Sequence, residues 1–273
     1  MKATVLIDNI TKNELQAEWG LAFYIEYGGK NILLDTGASG IFAENADMLG
    51  LDLTKIDFGA LSHAHSDHSD GMDTFFERNQ KAPFYLRDTA CKEYYDDREN
   101  PEGGYTYAGI KREILDAYAD RIIYVSGDME ICPGVHLIPH KTPGLEAIGK
   151  KSGMFVFENG EYHYDRYDHE QSLVFETEKG LVIFNSCSHG GADNIINEIK
   201  GTFPGKPILA IVGGFHLYNT PADEVRAFAR RVKDTRIALV VTGHCTGEES
   251  FEVLREELGE KAVQFYSGLE IEF

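Results

Sequence analysis

Leu61-Ser62-His63-Ala64-His65-Ser66-Asp67-His68 stands between a run that reads as a strand, 58–62, and a stretch of helical periodicity at about 70–79. Three imidazoles and one carboxylate within six residues are more than packing asks for. Alternate side chains of extended backbone share a side, so His63 and His65 point together, while Asp67 and His68 lie on the turn into the helix and face a neighbouring point. This geometry can feed two adjacent metals. Imidazole and carboxylate with no obligatory thiolate suit Zn²⁺, and Mn²⁺ or Fe can use the same donors.

Working outward, further histidines fall in equivalent places. His189 follows the apolar run 181–186 and precedes a helical stretch, His244 follows 237–242 and precedes another, and His216 follows 207–213. Ends of neighbouring strands converge on one edge of a sheet, which is where α/β proteins place their sites. Half of the ten histidines, His63, His65, His68, His189 and His244, are then expected as ligands, with His216 nearby.

Short apolar runs bounded by Gly, Asn or Asp read as strands throughout, at 21–25, 31–35, 58–62, 172–176, 181–184, 208–212 and 237–241. The pairs 21–27/31–35 and 172–177/181–186 are joined by turn residues that suit tight hairpins. Helical periodicity appears at about 41–50, 70–79, 89–98, 191–200, 222–234 and 248–258, the last opened by a capping box from Thr246 to Glu249. Hairpins followed by alternating strand and helix occur twice, which predicts two similar halves whose sheets pack together with helices outside, in one domain spanning 1–273. The stretch 97–121 reads as a loop, either solvated or covering a site.

The 273 residues carry 26 Lys plus Arg against 45 Asp plus Glu, a formal charge of −19, which argues against nucleic acid as a partner. No run approaches the roughly 18 apolar residues of a membrane span, and Met1-Lys2 leads into Ala3-Thr4-Val5 without a signal-peptide pattern. A cytoplasmic protein acting on a small molecule is expected, with its four cysteines reduced. Its oligomeric state stays open.

His63-x-His65-x-Asp67-His68, with Asp35-Thr36-Gly37 upstream, resembles the metallo-β-lactamase superfamily. Asn9, Gly20-Leu21, Asn45, Leu49-Gly50-Leu51-Asp52, Cys187-Ser188-His189-x-Gly191, Gly213-Gly214-Phe215-His216-Leu217 and His244-Cys245-Thr246-Gly247 are similar to one branch of it. That branch consists of metal-dependent hydrolases named after the dihydropterin ribofuranosylaminobenzene phosphate synthase. The resemblance implies a mixed α/β fold, a four-layer αββα sandwich, with a dinuclear site at the shared edge of the two sheets. It implies that His63, His65 and His189 hold one metal and Asp67, His68 and His244 the other, with two zinc ions as the first expectation. This sequence departs from the superfamily where a Gly-His-Thr-x-Gly motif would precede the second hairpin: it reads Asp168-His169-Glu170-Gln171, and His189 stands where a bridging Asp is expected. Asp168, His169 and Glu170 are either additional ligands or shape the pocket.

Asp35 either hydrogen-bonds the outer nitrogen of a ligand histidine or forms a turn. Cys187 and Cys245 read as small buried residues rather than ligands, and His136, His140 and His163 as surface or packing residues. A metal lowers the pKa of bound water from about 15.7 to about 7, so hydrolysis of a small ester, lactone or phosphoester by metal-bound hydroxide is the expected chemistry. Asp67 would orient the nucleophile, and His216 would give the substrate a proton or hydrogen bond. A diiron redox protein and a metal-dependent binding module without turnover are the alternatives.

Overall fold

The computed structural model describes residues 1–98 and 103–273. Two seven-stranded sheets dominate. In the first, the order is Glu270–Glu272, Lys2–Ile7, Ala22–Tyr27, Lys30–Leu34, Phe58–Ala60, Phe84–Arg87 and Ile122–Val125. Its first four strands pair antiparallel and the rest parallel. The second runs Ala262–Gln264, Leu239–Thr242, Ile208–Val212, Gly180–Phe184, Gln171–Thr177, Val135–Pro139 and Met129–Cys132. Here the first four are parallel and the hairpin strands antiparallel. Both expected hairpins are present, with Ala22–Tyr27 on Lys30–Leu34 and Gln171–Thr177 on Gly180–Phe184.

The described helices are α1 Ile41–Met48, α2 Ser66–Ser69, α3 Met72–Arg78, α4 Arg112–Ala117, α5 Glu146–Ser152, α6 Ala192–Thr202, α7 Ala222–Asp234 and α8 Glu248–Leu258. None of them is long and apolar enough to cross a membrane. In α7 the buried residues Val225, Phe228, Ala229 and Val232 recur at i, i+3, i+4 and i+7, one stripe that seals the helix onto its sheet.

Three apolar layers follow from this arrangement. Phe23, Ile25, Phe58, Phe175, Phe184, Val212 and Phe265 fill the space between the sheets. Phe42, Phe75 and Phe76 pack α1 and α3 on the outside of the first sheet, and Ile195, Phe228 and Leu254 pack α6, α7 and α8 on the outside of the second. The order of layers is αββα, as expected. Phe23 sits at the middle, edge-on to Phe184 at 5.3 Å and to Phe265 at 5.6 Å.

Three local expectations fail. The stretch 89–98 is not a helix: a 3₁₀ turn at Asp88–Cys91 gives way to the strand Glu93–Asp96. There burial alternates, with Tyr94 and Asp96 inward, and Met154–Glu158 offers a ladder that outweighs the weak helical pattern. This strand belongs to a third, four-stranded sheet completed by Glu161–Tyr164 and Thr106–Tyr107. The stretch 97–121 is only partly loop, since it contains Thr106–Tyr107 and α4; residues 99–102 of it lie outside the described residues. The capping box of α8 does not form. Gly247 is the cap residue, and Thr246 turns its hydroxyl to the Phe215 N–H at 3.0 Å and to Thr242 instead.

Candidate metal centre

The parallel strands of both sheets end on one side of the sandwich. His63 and His65 follow Phe58–Ala60, and Asp67 and His68 lie in the first turn of α2. His189 sits between Gly180–Phe184 and α6, His216 follows Ile208–Val212, and His244 sits between Leu239–Thr242 and α8. All seven residues proposed from sequence for the site meet there. The rings of His63, His65 and His189 form a triangle with centroids 4.6, 5.0 and 4.9 Å apart. Beside it, Asp67 Oδ2 lies 3.7 Å from His68 Nε2 and 3.5 Å from His244 Nε2. The His216 ring is 4.6 Å from that of His189, at the rim.

Hydrogen bonds on the outer nitrogens assign the tautomers. Asp35 accepts from Ser62 N–H and Ser62 Oγ–H at 2.7 Å each and from His68 Nδ1–H at 2.9 Å. The Ser62 hydroxyl oxygen in turn accepts from His63 Nδ1–H at 2.9 Å. Asn9 Oδ1 accepts from His244 Nδ1–H at 2.9 Å. The rings of His63 and His68 therefore turn a bare Nε2 lone pair inward. The Nε2 atoms of His68 and His244 are 3.2 Å apart, and Asp67 Oδ2 faces the second of them at 3.5 Å. His63 Nε2, His65 Nε2 and both nitrogens of His189 are buried without any partner.

A buried lone pair without a donor costs about 1–3 kcal/mol, a cost that a bound cation would remove for the whole cluster. The donor set fits a metal on this ground. Asp35 resolves to an orienting residue, reaching His68 directly and His63 through Ser62, the arrangement that fixes metal-ligating imidazoles.

Backbone strain gathers at the same place. Asp35, Ser188, His216 and His244 have φ of 58°, 50°, 50° and 49°, left-handed conformations that cost non-glycine residues on the order of 1–3 kcal/mol. Close backbone approach also demands glycine at two positions: an added Cβ would lie 1.8 Å from Asn185 O at Gly213 and 2.3 Å from the His140 ring at Gly190.

Comparison with known proteins agrees with this geometry. The profile of the metallo-beta-lactamase superfamily matches residues 20–149. The crystal structure of Tm1679, described as a metal-dependent hydrolase of the beta-lactamase superfamily, superposes with a TM-score of 0.83 at 31% identity, over 100% of this chain and 99% of that one. The chain belongs to the metallo-β-lactamase superfamily. It is also 26% identical to 7,8-dihydropterin-6-methyl-4-(beta-D-ribofuranosyl)-aminobenzene-5'-phosphate synthase of Methanocaldococcus jannaschii, over 94% of this chain and 90% of that protein. To the anti-Pycsar protein Apyc1 of Paenibacillus harenae it is 28% identical, over 60% of this chain and 68% of that protein.

Within this superfamily fold, the residues between Asp165 and Gln171 brace the turns that carry the histidine cluster. His169 spends both ring nitrogens, accepting from Ala64 N–H at 3.0 Å and donating to Asp165 at 2.9 Å, which pins the turn that carries His63 and His65. Glu170 accepts the N–H groups of His189 at 2.9 Å and Gly190 at 3.2 Å and is paired to His140, whose other nitrogen meets Glu198 at 3.2 Å. His140 is thus a brace of the His189 turn, not a simple packing residue. Asp168 faces away, between Lys92 and Arg166 at 3.5 Å each.

Cys187 is the residue that sequence reasoning undervalued. Its Sγ lies 3.2 Å from His68 Nε2 and within 4.8 Å of donor atoms of His63 and His189 on one side and of His68 and His244 on the other. Cys187 rather than His189 occupies the point between the two clusters. Cys245 Sγ is 3.4 Å away and accepts the His216 N–H at 3.2 Å.

The imidazoles of His63, His65 and His189 are held neutral by the fold. Burial, then the neighbouring rings, pushes His63 and His189 far below the usual histidine value, and burial sets His65 at about 3. Burial works against the charge of Asp67, but His68 and His244 outweigh it and keep that carboxyl below its ordinary range. Burial also opposes protonation of His244 and His140, yet Asp67 raises the first to about 9, and Glu170 and Glu198 raise the second to about 10.

Stability of protein stripped of metal should follow these signs. The lowered imidazoles contribute stability above pH 6.5 that is lost as the unfolded chain takes up protons, about 2 kcal/mol at pH 5 from His65 alone. The raised pair contributes stability below pH 6.5 that is lost as pH rises through about 9 to 10. Urea unfolding of chelator-treated protein between pH 5 and 10 is expected to show a maximum between those limits; a flat profile would contradict the neutral burial of the cluster.

Proposed function

We propose that this protein is a hydrolase of small ester, lactone or phosphoester substrates that works with two metal ions, one held by His63, His65 and His189 and one by Asp67, His68 and His244. Cys187 is placed to serve both positions. The observation that carries this reading is the set of buried, partnerless imidazole nitrogens turned toward one another at the ends of the parallel strands. Metal bound there supplies Lewis acidity, making water nucleophilic near neutral pH and polarising a carbonyl or phosphoryl oxygen. Zinc fits the donor set best, with manganese or iron as the other candidates.

The remaining chemistry belongs to side chains. Asp67 keeps 23% of its side chain exposed to the cleft and, held ionised by its neighbours, accepts a hydrogen bond from the attacking water and aims it at the substrate. His216, a residue of the cleft wall whose two ring nitrogens have no partner among the described residues, donates a hydrogen bond or proton to the substrate oxygen as the bond breaks. A cleft of about 460 Å³, lined by Trp19, Ser66, Tyr107, Met154 and Tyr218, leads to this point. Its size suits a small molecule, and a chain of charge −19 disfavours a polynucleotide.

One observation favours a second reading: the relative aligned over 94% of the chain is named as a synthase acting to give a 5'-phosphate product. A panel of 4-nitrophenyl esters, lactones and phosphodiesters, assayed with zinc, manganese or iron at full occupancy, separates the two. Metal-dependent release of alcohol or acid from at least one class is expected. No turnover of any class with the metal sites filled would remove the hydrolase reading.

A further inference from the structure

The cleft continues past the histidines. Beyond His216 and Tyr218 a second cavity of about 420 Å³ opens, sharing Arg98, His189, His216 and Tyr218 with the first. Its far wall is built by α5 and α7 and by the turn at Asn219 and Thr220. Arg98, Lys151 and Arg231 line this wall beside Glu224, and since Asp96, Glu224 and Asp193 each pair with one of them, what the wall offers is unused donors rather than net charge. No short segment of sequence announces this, because the three cations come from a loop and two separate helices.

Their pairing leaves donors to spare. Arg231 gives Nε to Asp193 at 2.8 Å, and neither Nη is bonded within the described residues. Arg98 is anchored by Asp96 through Nε and Nη2, while among the described residues its Nη1 meets only the neutral Tyr218 hydroxyl, at 3.2 Å. Lys151 rests on Glu224 at 2.7 Å with the rest of its ammonium in solvent. An anion entering here gains charge-assisted bonds from these groups, and guanidinium forks fit carboxylate or phosphate oxygens in pairs. A neutral tail gains nothing comparable.

The geometry points to a second subsite that holds an anionic group, a carboxylate or a phosphate, on the part of the substrate remote from the bond that breaks, with Arg98, Lys151 and Arg231 as its contacts. This rests on the hydrolase reading for the order of the two ends: the reacting group at Asp67 and His216, the anion beyond Tyr218. Binding energy collected there is available to position the reacting end.

Three esters of 4-nitrophenol test it on the metal-loaded protein: the butyrate, the hemi-glutarate and the 4-phosphonobutyrate. An anionic tail is expected to raise kcat/KM at least about tenfold over the butyrate, the worth of one charge-assisted bond, with the better of the two anions naming the group. In the Lys151→Gln/Arg231→Gln variant, both positions being exposed enough to leave the fold intact, that preference should fall to within about twofold. Equal rates on all three esters in the unmodified protein, or a preference that survives the double variant, would overturn the subsite. If no ester is cleaved, the hydrolase reading fails separately. The subsite is then judged by calorimetry with 4-phosphonobutyrate: a Kd at least about tenfold weaker in the double variant supports it, and the same Kd in both proteins, or no binding, overturns it.

Discussion

A His189→Ala variant is expected to lose the metal held with His63 and His65 and to lose turnover by a factor on the order of 10³ or more, the several kcal/mol that a Lewis acid contributes to a hydrolytic transition state. His189 has no partner for either ring nitrogen, so in the metal-free fold it contributes burial without hydrogen bonding. Removing it should therefore leave the Tm of chelator-treated protein nearly unchanged. The rise in Tm that unmodified protein shows on adding metal should shrink in the variant, because that rise measures binding to the folded state. Elemental analysis, turnover and the two melting curves check the claim together. A variant that keeps its full metal content and its turnover would show that the triangle of rings is not a binding position.

Asp67→Asn should separate the two positions. The carboxylate lies within 3.7 Å of both His68 and His244 Nε2, so neutralising it weakens the second position while leaving His63, His65 and His189 untouched. The metal content is expected to fall toward half. Because the same carboxylate aims the attacking water, kcat should drop by about 10²–10⁴ even when excess metal restores occupancy. An unchanged kcat at full occupancy would confine Asp67 to metal binding. A rise in KM alone would point to a contact with the substrate instead.

The fold and the heart of this site were legible because both depend on short-range patterns. His63-x-His65 shares a side of extended backbone, and His189 and His244 each fall between a strand and a helix, so local periodicity places them at the sheet edge. Helices such as α7 and α8 were visible as apolar stripes at the right spacing. What stayed hidden depends on distance in three dimensions. Nothing near Cys187 in sequence says that its sulfur reaches His68, 119 residues away. The brace from Glu198 through His140 and Glu170 to the His189 turn is made of links 19 to 58 residues apart in sequence, and each member alone looks like an ordinary polar residue. Strand Glu93–Asp96 was misread as helix because its partner, Met154–Glu158, lies some 60 residues on. The capping box failed for a related reason: Thr246 finds a better use in holding the strand ends of His216 and His244 together.

The central claim is that two metals sit at the strand ends, and anomalous diffraction from crystals of protein purified without added metal tests it most directly. Data collected at the zinc, iron and manganese edges are predicted to show two peaks, one enclosed by His63, His65 and His189 and one by Asp67, His68 and His244, with Cys187 beside both. No peak after soaking in each metal, or a peak only among His65, Asp165 and His169, donors that also lie within 4.8 Å of one another, would contradict this.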